Sequence, residues 1–292
     1  MLDATFDTTY YQFPFSKAEI NAGALTGSIG LVYNPTETWQ IGVNFSTGFR
    51  APNVDDIGKI FDSTPGSVVI PNPSLKAEYA YNGELAIAKI FGKGVKVDAT
   101  AYYTLLDNAL VRRPFNLIGE DSIEYSGELS RVEAIQNAAK AYVYGVQAGI
   151  EINLPEGFGI SSRFNWQKGE EELDDNTTAP LRHAGPWFGA SHFTYKRNKL
   201  LLNFYAIYNG EISNANLAPT EQDKDYIYAE DANGDPYSPA WYTLNFKALY
   251  QVNENFMVSA GIENLTDKRY LPYSSGLVAP GRNFIISARV TF

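Results

Sequence analysis

His183 and His192 are the only histidines among the 292 residues, and there is no cysteine. The two imidazoles stand nine positions apart with no carboxylate between them, so the zinc-binding His-Glu-x-x-His pattern is absent. No Gly-x-Ser-x-Gly turn is present to expose a serine nucleophile. Without thiols, disulfide, thiolate-metal and cysteine-nucleophile chemistry is excluded. Asp231-Ala-Asn-Gly-Asp235 opens like a calcium loop, but the twelve-residue frame with its late Glu is missing. A plain Asn-Gly turn is the simpler use of those residues. The sequence therefore predicts a protein that binds rather than catalyses, with no cofactor and no resident metal.

The candidates for binding lie between strand-like segments. Arg50, Asn53 and Asp55 follow one such segment, and Arg282 follows Pro280-Gly281. Each is open to two readings: a ligand contact, or the hydrogen bonding that shapes a loop where it leaves a strand. Tyr125, Tyr226 and Tyr228, with Phe115 and Tyr237, could stack on a planar or sugar ligand, or could pack their own loops. Acidic runs also lie between the strands, as Glu170, Glu171, Glu172, Asp174 and Asp175, and as Asp223, Asp225, Glu230, Asp231 and Asp235. They suit solvated loops, cationic chelates or divalent ions. The net charge of −10 argues against nucleic acid, which calls for a basic stripe.

The elements that must position these residues are strands. In the last ten residues Phe284, Ile286, Ala288, Val290 and Phe292 alternate with Asn283, Ser287, Arg289 and Thr291. A period of two puts these sets on opposite faces. The same alternation recurs: Tyr242, Leu244, Phe246 and Ala248 oppose Thr243, Asn245 and Lys247. Strands are expected near 22–33, 38–49, 78–91, 95–106, 139–154, 158–169, 186–195, 199–209, 240–252, 256–264 and 283–292. No apolar run approaches the roughly 18 residues of a helical span, which excludes a helical membrane protein but not a barrel.

The connections alternate without exception. Asn34–Glu37, Gly92–Gly94, Pro155–Gly157, Lys196–Asn198 and Asn253–Asn255 are hairpin turns. Stretches near 50–77, 107–138, 170–185, 210–239 and 265–282 are long, and they are expected to be irregular. Long loops gathered at one end are routine in bacterial outer-membrane barrels, with short periplasmic turns opposite. A closed barrel of this kind needs an even strand number, and eleven is odd. Taken alone, eleven strands leave two unpaired edges.

Several strings resemble the TonB-dependent outer-membrane receptor family, of the kind common in Bacteroidetes. Residues 46–53 read Ser-Thr-Gly-Phe-Arg-Ala-Pro-Asn, and residues 71–78 read Pro-Asn-Pro-Ser-Leu-Lys-Ala-Glu, with Ala77 where the family has Pro. Residues 180–189, Pro-Leu-Arg-His-Ala-Gly-Pro-Trp-Phe-Gly, look like a strand entry of the same family. Glu263-Asn-Leu-Thr-Asp-Lys-Arg-Tyr270, Pro280-Gly-Arg-Asn-Phe284 and the final Phe292 resemble its C-terminal signature.

The resemblance implies an all-β fold: an antiparallel transmembrane β-barrel built as an up-and-down meander of 22 strands. The eleven strands over 1–292 would be its C-terminal half. A plug domain, the TonB-contacting segment and the first barrel half would precede Met1, which has no secretory signal after it. The implied function is active import across the bacterial outer membrane of a scarce ligand: an iron chelate (siderophore), cobalamin or a glycan. The implied partners are that extracellular ligand, TonB through the N-terminal region, outer-membrane lipid, and the barrel assembly machinery through the strand ending in Phe292. The rival readings are a passive porin-type channel and a soluble all-β binding module.

Overall fold

The computed structural model describes residues 2–5, 13–20, 23–64, 66–137, 140–173, 175, 177–182, 184–222 and 224–292. His183, Asp174 and Asp223 lie outside the described residues. Among the described residues no helix is long and apolar enough to cross a membrane.

Eleven strands form one antiparallel sheet in sequence order. They are β1 (Ser28–Thr36), β2 (Trp39–Arg50), β3 (Glu78–Phe91), β4 (Val95–Asp107), β5 (Lys140–Asn153), β6 (Phe158–Glu172), β7 (Phe188–Arg197), β8 (Leu200–Asn209), β9 (Trp241–Gln251), β10 (Phe256–Glu263) and β11 (Asn283–Val290). A short strand, Thr178–Pro180, pairs off the end of β6. The outer strands β1 and β11 each pair on one side only, so the described sheet has two edges. The turns follow from residues that tolerate left-handed backbone: Gly92 (φ 57°), Gly157 (φ 87°) and Asn198 (φ 50°) sit at hairpin ends, and Glu156 (φ 59°) is carried into the same region beside Gly157.

Register keeps the two faces continuous, because a slip of one residue would invert every side chain. One row across nine strands, β11 to β3, runs Phe284, Ile262, Phe246, Phe204, Phe193, Ile160, Ile152, Val95 and Phe91, apolar at each. The apolar face also holds Ser162, Ser191 and Tyr208. These satisfy one another: Ser162 Oγ lies 2.8 Å from Ser191 Oγ, which lies 3.3 Å from Tyr208 Oη. The opposite face is polar. There Arg163 bridges strands, with Nη1 2.6 Å from Asp98 Oδ2 and Nη2 2.5 Å from Glu151 Oε1. Gly149 leaves room for that guanidinium, which a Cβ would strike. Strands β2 to β9 have 10 to 15 residues, enough to cross a bilayer core at a tilt.

The long connections are not all irregular, which corrects the expectation from sequence. The segments after β2 and β4 build a second sheet in which Glu128–Asn137 runs parallel to Ser67–Ile70 and antiparallel to Ser122–Tyr125 and Leu110–Pro114. Val68, Ile70, Val132 and Ala134 are buried together, with Phe13 and Leu117 beside them. The local cause is a continuous apolar run in Ser67-Val-Val-Ile70, buried throughout, set beside Arg131-Val-Glu-Ala-Ile135, whose Val132 and Ala134 are buried against it. The strict sequence-order meander therefore describes the large sheet and not the crown of loops at one of its ends.

Candidate functional site

The segments that carry the sequence motifs are staples between loops. Asn53 caps the helix Val54–Gly58: its Oδ1 accepts from the backbone N–H of Asp55 (2.8 Å) and Asp56 (3.1 Å). Asp56 accepts back from the Asn53 N–H at 2.9 Å, closing a capping box. Arg50 holds the same carboxylate with Nη2 at 3.0 and 2.9 Å from its two oxygens. Asn72 donates to the Ile135 carbonyl at 2.8 Å. Asn137 donates to the Asn108 carbonyl at 2.8 Å and accepts from the Lys76 N–H at 2.8 Å. At the far end Asn264 donates to the carbonyls of Lys268 (2.8 Å) and Pro280 (3.2 Å). The Arg282 N–H donates to Asp267 at 2.8 Å, and its Nε donates to the Leu265 carbonyl at 3.1 Å. Gly281 has no Cβ because one would lie 2.6 Å from the Asp267 carboxylate.

The remaining sequence candidates are dispersed. Asp55 is exposed and lies 3.9 Å from Lys59. Tyr125 and Phe115 pack against the core of the second sheet. Tyr226 is exposed. Tyr237 lies in a two-residue strand opposite Ala229. Asp231 closes a turn, accepting from the N–H groups of Asn233 (2.7 Å) and Asp235 (3.0 Å), with Gly234 left-handed at φ 87°. His192 sits on the polar sheet face, 3.2 Å from Asn203 Oδ1 and stacked on Tyr205. Among the described residues no cluster of three metal-ligating side chains exists.

One of the seven named binding candidates, Arg50, lines a cavity that the sequence did not reveal, and Tyr228 bonds behind its wall. A cavity of about 680 Å³ opens among the long connections. Arg50, Arg112, Arg131, Arg182 and Lys224 line it, against the carboxylates of Asp56, Glu133 and Glu171. Glu133 stands between two of these cations, with Arg112 Nε at 4.0 Å and Arg131 Nη2 at 3.9 Å. In a chain of net charge −10, five basic groups face one space with three acidic ones. The acidic loop runs suit solvation, cationic chelates or divalent ions, whereas the lining of this cavity carries more basic than acidic groups.

One wall of that cavity hangs on a buried carboxylate. Glu221 is fully shielded from solvent, and its Oε1 lies 2.6 Å from both Arg182 Nε and Lys224 Nζ. Its Oε2 accepts from the Tyr228 hydroxyl at 2.5 Å. Tyr273 joins from the last long loop, donating to the Arg182 carbonyl at 2.8 Å. Three connections are thereby tied at one point. Burial would raise the Glu221 carboxyl, but the hydrogen bonds from Lys224 and Tyr228 and the nearby cations outweigh it and hold the group below the ordinary range. Burial and the adjacent Glu221 charge push the Tyr228 phenol far up, and push Tyr273 up to about 12. Both stay protonated, so Tyr228 remains a donor. Because Arg50, Arg112, Arg131, Arg182 and Lys224 are far apart in sequence, only the fold brings them together. Arg50 and Arg182 lie within family-like strings, but no local motif announces the five as one site.

A family profile described as TonB dependent receptor-like, beta-barrel, matches residues 3–265. A probable hemoglobin and hemoglobin-haptoglobin-binding protein of Haemophilus influenzae is 25% identical over 305 residues, covering 91% of this chain and 29% of its own length. The iron-regulated outer membrane virulence protein of Vibrio cholerae is 21% identical over 265 residues, covering 89% of this chain and 38% of its own. Among solved structures, the copper transporter OprC superposes with a TM-score of 0.68 at 14% identity, over 91% of this chain and 40% of that one. The siderophore receptor PirA of Pseudomonas aeruginosa gives 0.63 at 18% identity, over 91% and 42%. The chain thus spans well under half the length of the relatives it matches.

Proposed function

The chain belongs to the TonB-dependent receptor β-barrel family, and from that premise we propose that it supplies the C-terminal strands of an outer-membrane receptor that imports a scarce, anionic ligand. The eleven strands form the C-terminal half of a 22-stranded barrel. An N-terminal plug and first barrel half complete it, and TonB provides the energy. The apolar sheet face meets lipid, and the strand ending in Phe292 is read by the assembly machinery. The ligand is an iron chelate or haem-type compound whose carboxylate or phenolate groups meet Arg50, Arg112, Arg131, Arg182 and Lys224.

The observation that carries this reading is the cation-lined cavity at the long-loop end. Planar guanidinium groups bind carboxylates and phenolates through paired N–H donors. Recognition commonly sits on loops held by a rigid scaffold. Relatives named for binding haemoglobin and for iron regulation support a ligand of this class. Tyr226 and Tyr228 remain candidates for stacking on it.

The test is uptake of ferric chelates and haem by cells carrying the complete gene, with and without TonB. Uptake should vanish without TonB. Unchanged uptake would discard active transport and favour a passive channel. Deleting residues 107–138 or 210–239 should abolish binding and leave the barrel in the membrane.

A further inference from the structure

On the apolar face, at the short-turn end, strands β6 to β9 enclose a groove of about 1010 Å³. Phe158, Phe193, Phe204 and Phe246 line it. The Phe158 ring lies 5.7 Å from Phe193 and 4.8 Å from Tyr195, so its floor is a packed aromatic layer. Phe158, Phe193 and Phe204 nevertheless keep 37%, 46% and 43% of their surface open. Arg197, in phase with Phe193 and Tyr195, stands at the mouth; Lys196, one residue out of phase, meets it from the strand end, and Glu156 is the one acid there.

The charge at this hairpin end differs from that at the others. Lys196-Arg-Asn-Lys199 carries three cations, whereas the other four turns carry one charged residue each: Glu37, Lys93, Glu156 and Glu254. Lys199 is engaged, donating to the Val252 carbonyl at 2.8 Å. Among the described residues, Lys196 and Arg197 have no ion-pair partner. Two unpaired cations at the mouth of an exposed aromatic groove match a molecule with an anionic head and an apolar body.

We infer that the groove holds the acyl chains of an anionic phospholipid, with its phosphate on Lys196 and Arg197. This rests on the membrane reading above, in which the apolar face meets lipid and the short turns lie at the periplasmic end. The chains cover the aromatic floor, and the two cations reach the head group from the strand end. Lys and Arg at an interface can also merely extend toward water, and that alternative predicts no preference among head groups.

Native mass spectrometry of the complete protein in neutral detergent separates these outcomes. With phosphatidylglycerol, phosphatidylcholine and inorganic phosphate as probes, one phosphatidylglycerol should be retained at least fivefold over phosphatidylcholine. Excess phosphate should not displace it. The double variant Lys196→Gln/Arg197→Gln should lose that preference, and Lys93→Gln, at another turn, should keep it. Heat-modifiable mobility on gels verifies that each variant is folded. Equal retention of both lipids, retention by the double variant, or displacement by phosphate would overturn the inference. Flotation with phosphatidylcholine vesicles isolates the underlying reading. A protein that stays soluble refutes membrane residence, whereas one that floats without head-group preference refutes only the lipid site.

Discussion

The large sheet and the crown of loops at one end place their apolar side chains in opposite directions. In the sheet, Phe91, Phe193, Phe204 and Phe284 stand exposed on one face. In the crown, Val68, Ile70, Val132 and Leu217 are sealed from solvent. The charges invert as well. The Arg163–Asp98–Glu151 bridge lies on the open polar face of the sheet, with the Arg163 side chain about half exposed. Glu221 in the crown is buried among its partners. One chain thus follows two solvent rules. Crown segments bury apolar groups because water surrounds them. On the membrane reading proposed above, the sheet can leave them out because lipid accepts them, while its backbone groups are satisfied along the ladder.

The largest expected effect tests the crown. Glu221→Ala leaves Arg182 and Lys224 without their buried counter-charge, at a cost of about 3–5 kcal/mol to crown stability. Hydrogen exchange should rise across residues 210–239 and the ligand should be lost, with the sheet amides unchanged. Equal loosening of β7 to β9 would merge the two regions. Ile70→Ala tests the water-driven core and should cost about 2–5 kcal/mol, again confined to the crown.

The sheet is tested at two adjacent positions on β9. Ala248→Lys puts a charge into lipid, at about 2–4 kcal/mol near the midplane, and should impair assembly. Lys247→Ala, on the polar face, should assemble normally. Equal assembly of the two would contradict the assignment of faces.

Acidification sharpens the contrast further. Because the folded Glu221 carboxyl is held below its ordinary value, its contribution is present above the unfolded carboxylate pKa of about 4.3 and is lost as pH falls through the lower folded value. Crown exchange should therefore rise below about pH 4, and Glu221→Gln should remove that step. The smallest effect belongs to the cap: Asn53→Ala should cost about 1 kcal/mol, read as local exchange in Val54–Gly58.

These two regions were also unequally legible in the sequence. The sheet could be read because its information is local: alternation over ten residues fixes the faces, and Gly, Pro and Asn fix the turns. The first strand begins at Ser28 rather than near 22, and the last ends at Val290, because pairing partners rather than alternation set strand ends. The crown resisted because its pairings are distant. Val68 lies opposite Val132 in a parallel register that no turn announces. The cavity cations likewise come from five separate segments. Arg50, Asn53 and Arg282 were visible through their motifs, yet each is bonded to its own or a neighbouring loop, so local patterning revealed the staples before the cavity.

The absence of cysteine allows the central claim to be tested residue by residue. Single cysteines placed in turn at 200 to 209 in the complete, membrane-embedded protein would carry a fluorophore quenched by brominated lipid. The account predicts quenching that alternates with a period of two, strong at Leu202, Phe204 and Ala206 and weak at Asn203, Tyr205 and Ile207. Uniform quenching, none at all, or the opposite phase would contradict it.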